Sequence, residues 1–98
     1  MNISKKQNGA NLEIALEGRL DTVTSPELEK ELKASLDGAD TLTLDFAKLD
    51  YISSAGLRVL LSAHKVMDKK GGMTITNVNE IVREVFDVTG FSDILNIA

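Results

Sequence analysis

Cysteine is absent from the 98-residue sequence. Its absence excludes disulfide frameworks, thiol catalysis and thiolate metal sites. Histidine occurs once, as His64, so no multi-histidine metal site can form. Eleven basic residues stand against fifteen acidic ones, a net charge of -4. A nucleic-acid binder working through a basic footprint is not expected from that balance. No apolar run approaches the roughly 20 residues of a membrane span, and no charged-then-apolar leader opens the chain. The expectation is a cytoplasmic protein that does not insert into a membrane. Aromatic residues are few: Phe46, Tyr51, Phe86 and Phe91. What is present is ordinary for a globular domain, with 43% apolar residues. The length suits one domain over residues 1–98. Folding would bury roughly two-thirds of the extended-chain surface, enough for one core.

The charge is uneven. Residues 12–50 carry ten acids and four bases, a net of -6, whereas residues 51–98 carry five of each. That excess reads either as a solvated acidic face or as a surface that meets a partner.

Residues 2–7 suit a short edge strand, where Lys5 and Lys6 discourage further pairing. Asn8-Gly9 signals a turn. Leu12, Ile14 and Leu16 then alternate with polar residues, which predicts a second strand in an antiparallel hairpin. Gly18-Arg19-Leu20-Asp21 is expected to leave the sheet. Ser25 and Pro26 suit the cap and first position of a helix, and Leu28, Leu32 and Leu36 mark its buried stripe. Glu29 and Lys33 are correctly ordered for an i,i+4 pair, and Gly38 is a plausible stop.

Alternation returns from Thr41 to Phe46. A second helix is expected from about Ala55 to Lys69, with Leu57, Leu60, Leu61, His64 and Met67 on one stripe. Lys65, Lys69 and Lys70 gather near its end, where the helix dipole favours cations. Met73 and Ile75 mark a fourth strand. A third helix starts near Asn77 or Asn79, carries Ile81, Val82, Val85 and Phe86, and ends at Gly90. A last strand covers about Ile94 to Ile97.

The order β-β-α-β-α-β-α-β predicts an α/β fold with a mixed five-stranded sheet. Strands that follow helices enter its parallel part through right-handed crossovers. A sheet covered on both faces would show continuous apolar strands. These strands alternate, so the helices are expected on mainly one face. The expected core holds Leu12, Ile14, Leu16, Leu28, Leu32, Leu42, Leu44, Phe46, Leu57, Leu60, Leu61, Ile75, Ile81, Val85 and Phe86.

The most informative segment is Asp50-Tyr51-Ile52-Ser53-Ser54-Ala55-Gly56-Leu57, ahead of the second helix. Ser53 or Ser54 would cap that helix. Ser54, Ala55 and Gly56 keep its first turn bare. Glycine there costs roughly 1 kcal/mol against alanine, so either a packed neighbour or a docking protein approaches the backbone closely. A serine at a helix start is often only a cap. It also suits a phosphate, because unpaired N–H groups and the dipole stabilise an anion. Phosphorylation would add about -1.5 to -2 charges while sparing the helix.

Four stretches in order carry a resemblance: Leu16 to Asp21, Leu42 to Phe46, Tyr51 to Leu57, and Val85 to Phe91. With the order of elements, they resemble the STAS domain, in particular the free-standing anti-sigma factor antagonists of bacteria. The resemblance implies a STAS-like fold and partner switching. An unmodified antagonist binds an anti-sigma factor that is also a serine kinase, and a sigma factor is freed. The kinase supplies ATP and phosphorylates a serine at the start of the second helix. A metal-dependent serine phosphatase restores binding. The family serine precedes the glycine by two residues, which here is Ser54. Ser53, the less favoured acceptor, stands where many members carry aspartate. The resemblance also places a partner contact at the exit of the second strand, at Asp21; Ser53, Ser54, Ala55 and Gly56 at the helix start are expected to meet the partner, and Arg58, one turn past Ser54, could reach the partner or a phosphate. The alternatives are a turn or capping role for Asp21 and a solvated helix residue for Arg58. A monomer is expected when the protein is free.

Other chemistry fits less well. A nucleophile elbow needs Gly-x-Ser-x-Gly, and Ile52 stands where the first glycine would be. His64 lies ten residues along the same helix from Ser54, roughly 15 Å of axial rise. Asp21, Asp45 and Asp50 could be imagined as the magnesium site of a receiver domain, but that fold needs a fully covered parallel sheet. An acyl carrier protein would be all-helical. Gly71-Gly72 lacks the phosphate-cradling pattern, so no nucleotide or other cofactor is expected. The reading is a binding module without catalysis. Its alternative keeps the fold in another regulatory, secretion or transport system, with Ser54 unmodified.

Overall fold

A computed structural model describes residues 1–98. Ten elements follow in order. They are β1 (Asn2–Asn8), β2 (Asn11–Leu20), α1 (Ser25–Ser35), a 3-10 turn (Leu36–Gly38), β3 (Thr41–Ile52), α2 (Ser54–Asp68), β4 (Met73–Thr76), α3 (Glu80–Thr89), a second 3-10 turn (Phe91–Asp93) and β5 (Asn96–Ile97). The strands lie in the sheet in chain order. β1 pairs antiparallel with β2, and the remaining pairs are parallel. The expected mixed five-stranded sheet is present, with helices over one face.

The alternating strands explain that one-sided cover. Leu12, Ile14, Leu16, Leu42, Leu44, Phe46, Met73 and Ile75 point into the core and are buried. Their neighbours Glu13, Ala15, Thr43, Asp45, Thr74 and Thr76 form a half-exposed outer face. From the helices, Leu28 and Leu32 of α1, Leu57, Leu60 and Met67 of α2, and Val82 and Phe86 of α3 close the core. The Phe46 and Phe86 rings meet with centroids 6.5 Å apart.

Both long strands run further than alternation suggests. Gly18 to Leu20 remain in β2, and Asp50 to Ile52 remain in β3. Two register shifts explain the misreading, one between Ala15 and Glu17 and one between Gly18 and Arg19. Beyond Phe46 the buried residues of β3 are Leu49 and Ile52, spaced by three instead of two. The first shift is braced by the Asp45 carboxylate, which accepts from Ala47 N at 2.9 Å and from Asn77 Nδ2 at 2.9 Å. At the second, Gly18 adopts φ 107°, a conformation available chiefly to glycine.

Several local expectations are corrected. Thr24, not Ser25, is the N-cap of α1, and Ser25 is its first buried residue. α3 starts from Asn79, whose side chain accepts from Val82 N at 2.8 Å and donates to Leu49 O at 2.8 Å. That anchor turns Val82 inward and leaves Ile81 60% exposed, outside the core. Leu61, His64 and Val85 are only half-buried. β5 is confined to Asn96–Ile97, because a 3-10 turn occupies Phe91–Asp93 and Ile94 is exposed. Lys70 does not serve its own helix alone. Its Nζ crosses to the end of α1 and donates to Leu36 O at 2.7 Å, Ala39 O at 3.0 Å and Asp37 O at 3.4 Å.

Candidate functional site

The parallel pairing of β2 and β3 brings two chain exits together. Leu20 is opposite Ile52, and Ser53 N donates to Leu20 O at 2.9 Å. The turn after β2 therefore lies beside the start of α2. Asp21 and the Ser53–Ser54 pair, far apart in sequence, become neighbours at this edge.

Asp21 organises the first exit. Its Oδ1 accepts from Val23 N at 3.0 Å and Thr24 N at 3.1 Å. Thr24 Oγ1 in turn accepts from Asp21 N at 2.9 Å and donates to Arg19 O at 2.7 Å. The N–H groups of Thr24 and Val23 stabilise the carboxylate and hold its pKa below the ordinary 3.8, with Arg19 contributing at 3.8 Å. Asp21 is thus a turn residue by geometry, and this is why the chain reverses sharply into α1. Arg19 also stacks over Tyr51, 4.6 Å from its ring centroid. This pairing is invisible to a linear reading, because it depends on two register shifts.

The second exit is the start of α2. Ser53 has extended cap dihedrals, φ -101° and ψ 176°, yet its side chain makes no capping bond. Its buried Oγ has no hydrogen-bond partner. Helix geometry leaves the N–H groups of Ser54, Ala55 and Gly56 without intrahelical acceptors, and no side chain caps them. Ser54 is the first helical residue and is exposed. Ala55 is half-buried. Arg58 is exposed one turn further on and takes part in none of the three ion pairs.

Gly56 belongs to a different surface. It is buried, and a Cβ on it would lie 2.8 Å from Ile52 Cγ1 and 2.8 Å from Leu20 Cγ. The bare turn therefore answers to a packed neighbour. Gly56 faces the sheet and is removed from the expected contact face, where Ser54 and Arg58 remain exposed.

No three His, Asp or Glu side chains gather where they could hold a metal ion. Asp45 is committed to the β3 bulge, where the Asn77 amide and the Ala47 N–H lower its pKa. No helix is long and apolar enough to cross a membrane.

Comparison with known proteins resolves the family. The STAS domain family model matches residues 2–98. The chain belongs to the STAS domain family. The candidate anti-sigma factor antagonist BtrV of Bordetella bronchiseptica is 41% identical over 85 residues, covering 85% of this chain and 73% of the relative. The anti-sigma-B factor antagonist of Bacillus subtilis is 28% identical over 99 residues, covering 100% of this chain and 91% of the relative. Among solved structures, an anti-sigma factor antagonist from Mycobacterium paratuberculosis superposes with a TM-score of 0.88 at 21% identity, covering 98% of this chain and 83% of that one. That likeness shows the shared STAS fold.

Proposed function

We propose that this STAS protein is an anti-sigma factor antagonist switched by phosphorylation of Ser54. Unmodified, it binds an anti-sigma factor that is also a serine kinase, and a sigma factor is released. The contact face comprises Asp21, Ser53, Ser54, Ala55 and Arg58. The kinase supplies ATP, and phosphorylation of Ser54 disperses the complex. A serine phosphatase restores the binding form. The protein itself performs no catalysis and acts in the cytoplasm as a monomer between partners.

One observation carries this reading. Ser54 is exposed at the first position of a helix that no side chain caps. A kinase can reach its hydroxyl, and the helix terminus favours the dianion that forms. The net charge would move from -4 to about -6 without disturbing the core. The names of the antagonist relatives support the partner class.

Incubation with the cognate kinase and ATP, followed by phosphosite mapping, tests the reading. Modification is expected at Ser54 and is expected to vanish in Ser54→Ala. Modification at Ser53 would move the acceptor by one residue. No modification by any such kinase of the same cell would reject the phospho-switch and favour a STAS module of another regulatory, secretion or transport system.

A further inference from the structure

We propose that the solvent-facing stripe of α3, formed by Ile81, Val85 and Val88, docks a basic amphipathic helix of another protein. The core takes only one apolar face of α3, that of Val82 and Phe86. A second apolar stripe is left outside. Ile81 is 60% and Val88 81% exposed, and half-buried Val85 stands between them. Their spacing of four and then three keeps them on one face, the kind of seam by which helices pair. A shallow groove of about 310 Å³ follows the stripe, with Glu84 and Thr89 also in its walls. Single apolar side chains on a surface need no explanation, whereas a contiguous row marks an interaction site. Thr89 brings no free donor to it, because its hydroxyl donates to Val85 O at 2.6 Å.

Charge decides what covers the stripe. Glu84 lies directly beside it, and Glu80 and Asp87 continue the same flank. α3 carries these three acids against one base, Arg83, and none of the four takes part in an ion pair. Glu80 is in the first turn, where the helix dipole favours an acid. Asp87 is in the last turn, where the dipole favours a cation and the helix supplies none. Its carboxylate accepts from the Ser92 hydroxyl and leaves its charge unmatched. An occupant with apolar residues at the same spacing and lysine or arginine along the facing flank therefore fits.

A second copy of this chain fits less well. Two α3 helices packed antiparallel about a two-fold axis would set each Glu84 against its own equivalent. A parallel pair would set Glu84 against the flank of Val82 and Thr89, which holds no cation. Arg83 lies on the far side of the helix from the stripe and helps neither arrangement. The stripe shares no residue with the cleft at the start of α2, so the proposal does not depend on the reading of Ser54.

The probe is a synthetic alanine-rich helical peptide of about 20 residues, with leucines spaced four and three and lysines beside them. It is titrated into the isotope-labelled full chain while amide shifts are followed. Saturable shifts centred on Ile81, Val85 and Val88 are expected, with a Kd below ~1 mM. Val88→Ser is expected to weaken binding about tenfold. Glu84→Gln is expected to weaken it about twofold to fivefold. The same peptide with glutamate for every lysine should bind at least about tenfold more weakly. Thermal melts check that the variants fold, and Ile81→Ser at the other end of the stripe repeats the apolar test. The proposal is overturned if no shift saturates, if the shifts map to acids outside α3, or if both serine variants bind like the wild type. A dimer of the chain alone, seen by sedimentation and abolished by Val88→Ser, would make a second copy the occupant and overturn it as well.

Discussion

Replacing Gly56 by alanine tests how tightly α2 is seated on the sheet. The added methyl would meet Leu20 Cγ and Ile52 Cγ1 at 2.8 Å, where carbon atoms prefer about 3.5–4.0 Å. Neither neighbour has space to retreat, since Leu20 is 0% and Ile52 1% exposed. Both contacts fall on mid-chain carbons, so rotating a side-chain tip gives no relief. Overpacking of this kind costs about 1–3 kcal/mol. Alanine recovers at most about 1 kcal/mol of helix propensity, and less in a first turn. The expected net loss is about 1–2 kcal/mol. For a domain of this size that lowers Tm by about 4–16 °C. Gly38→Ala is the control, because a Cβ there meets nothing within 4 Å and its backbone is not left-handed. That variant is expected to match or exceed the wild type by a few tenths of a kcal/mol. Thermal melts followed by circular dichroism, with urea titrations at 25 °C, give both values. A Gly56→Ala protein as stable as Gly38→Ala would refute the close approach of α2 to β2 and β3.

Lys70→Met removes three hydrogen bonds to the end of α1 and is expected to cost about 1–2 kcal/mol in urea unfolding, whereas Lys69→Met, which removes no such bond, should be nearly neutral. Ser25→Ala discards a hydroxyl that has no partner in the free protein, so unfolding in anion-free buffer should show no loss of stability; a loss above about 1 kcal/mol would reveal a partner for it. The Asp21 and Asp45 carboxylates have pKa values lowered on folding, so their stabilisation is complete above the ordinary value of 3.8 and is lost as pH falls through the folded value. Urea midpoints should therefore decline in acid, and less steeply for Asp45→Asn; parallel declines would contradict the bulge contacts as the cause. Ser54→Asp places an acid at a helix start, so its melt should match the wild type while binding to the anti-sigma partner weakens at least tenfold; unchanged affinity would count against charge as the switch.

Much of the fold was legible because its strands alternate while its helices recur at three and four. Leu12, Ile14 and Leu16 announce one face of β2, and Leu28 and Leu32 announce the stripe of α1. The reading lost its footing where period two breaks. After Phe46 the bulged strand buries Leu49 and Ile52, a spacing of three that breaks the strand's period of two and resembles that of a helix face. Ile81 was misplaced for a related reason. Two adjacent apolar residues, Ile81 and Val82, offer two phases, and only the Asn79 anchor to Leu49 O decides between them. The site shows the same division. Its exposed Ser54 and Arg58 and its buried Gly56 could be found along the chain. The Asp21 turn, the Arg19–Tyr51 stack and the unpaired Ser25 hydroxyl depend on which strands lie side by side.

The start of α2 separates two demands within three residues. Gly56 faces inward and sets how closely the helix approaches Leu20 and Ile52. Ser54 faces outward and is held by nothing beyond its backbone. A modification at Ser54 therefore has no packed neighbour through which to deform the core. Its effect must be electrostatic and steric at the surface, and a partner can sense it only by direct approach. Arg58 then has a consequence for the strength of the switch. If the guanidinium holds the phosphate, part of the added charge is neutralised within the protein. The partner instead meets an arginine withdrawn from solvent and a first turn occupied by oxygen atoms. Arg58→Gln would leave the phosphate more exposed while removing a cation from the contact face. Binding by the unmodified protein and its loss on phosphorylation should consequently respond to Arg58 by different factors. Equal factors would mean that the arginine serves only the contact and takes no part in receiving the phosphate.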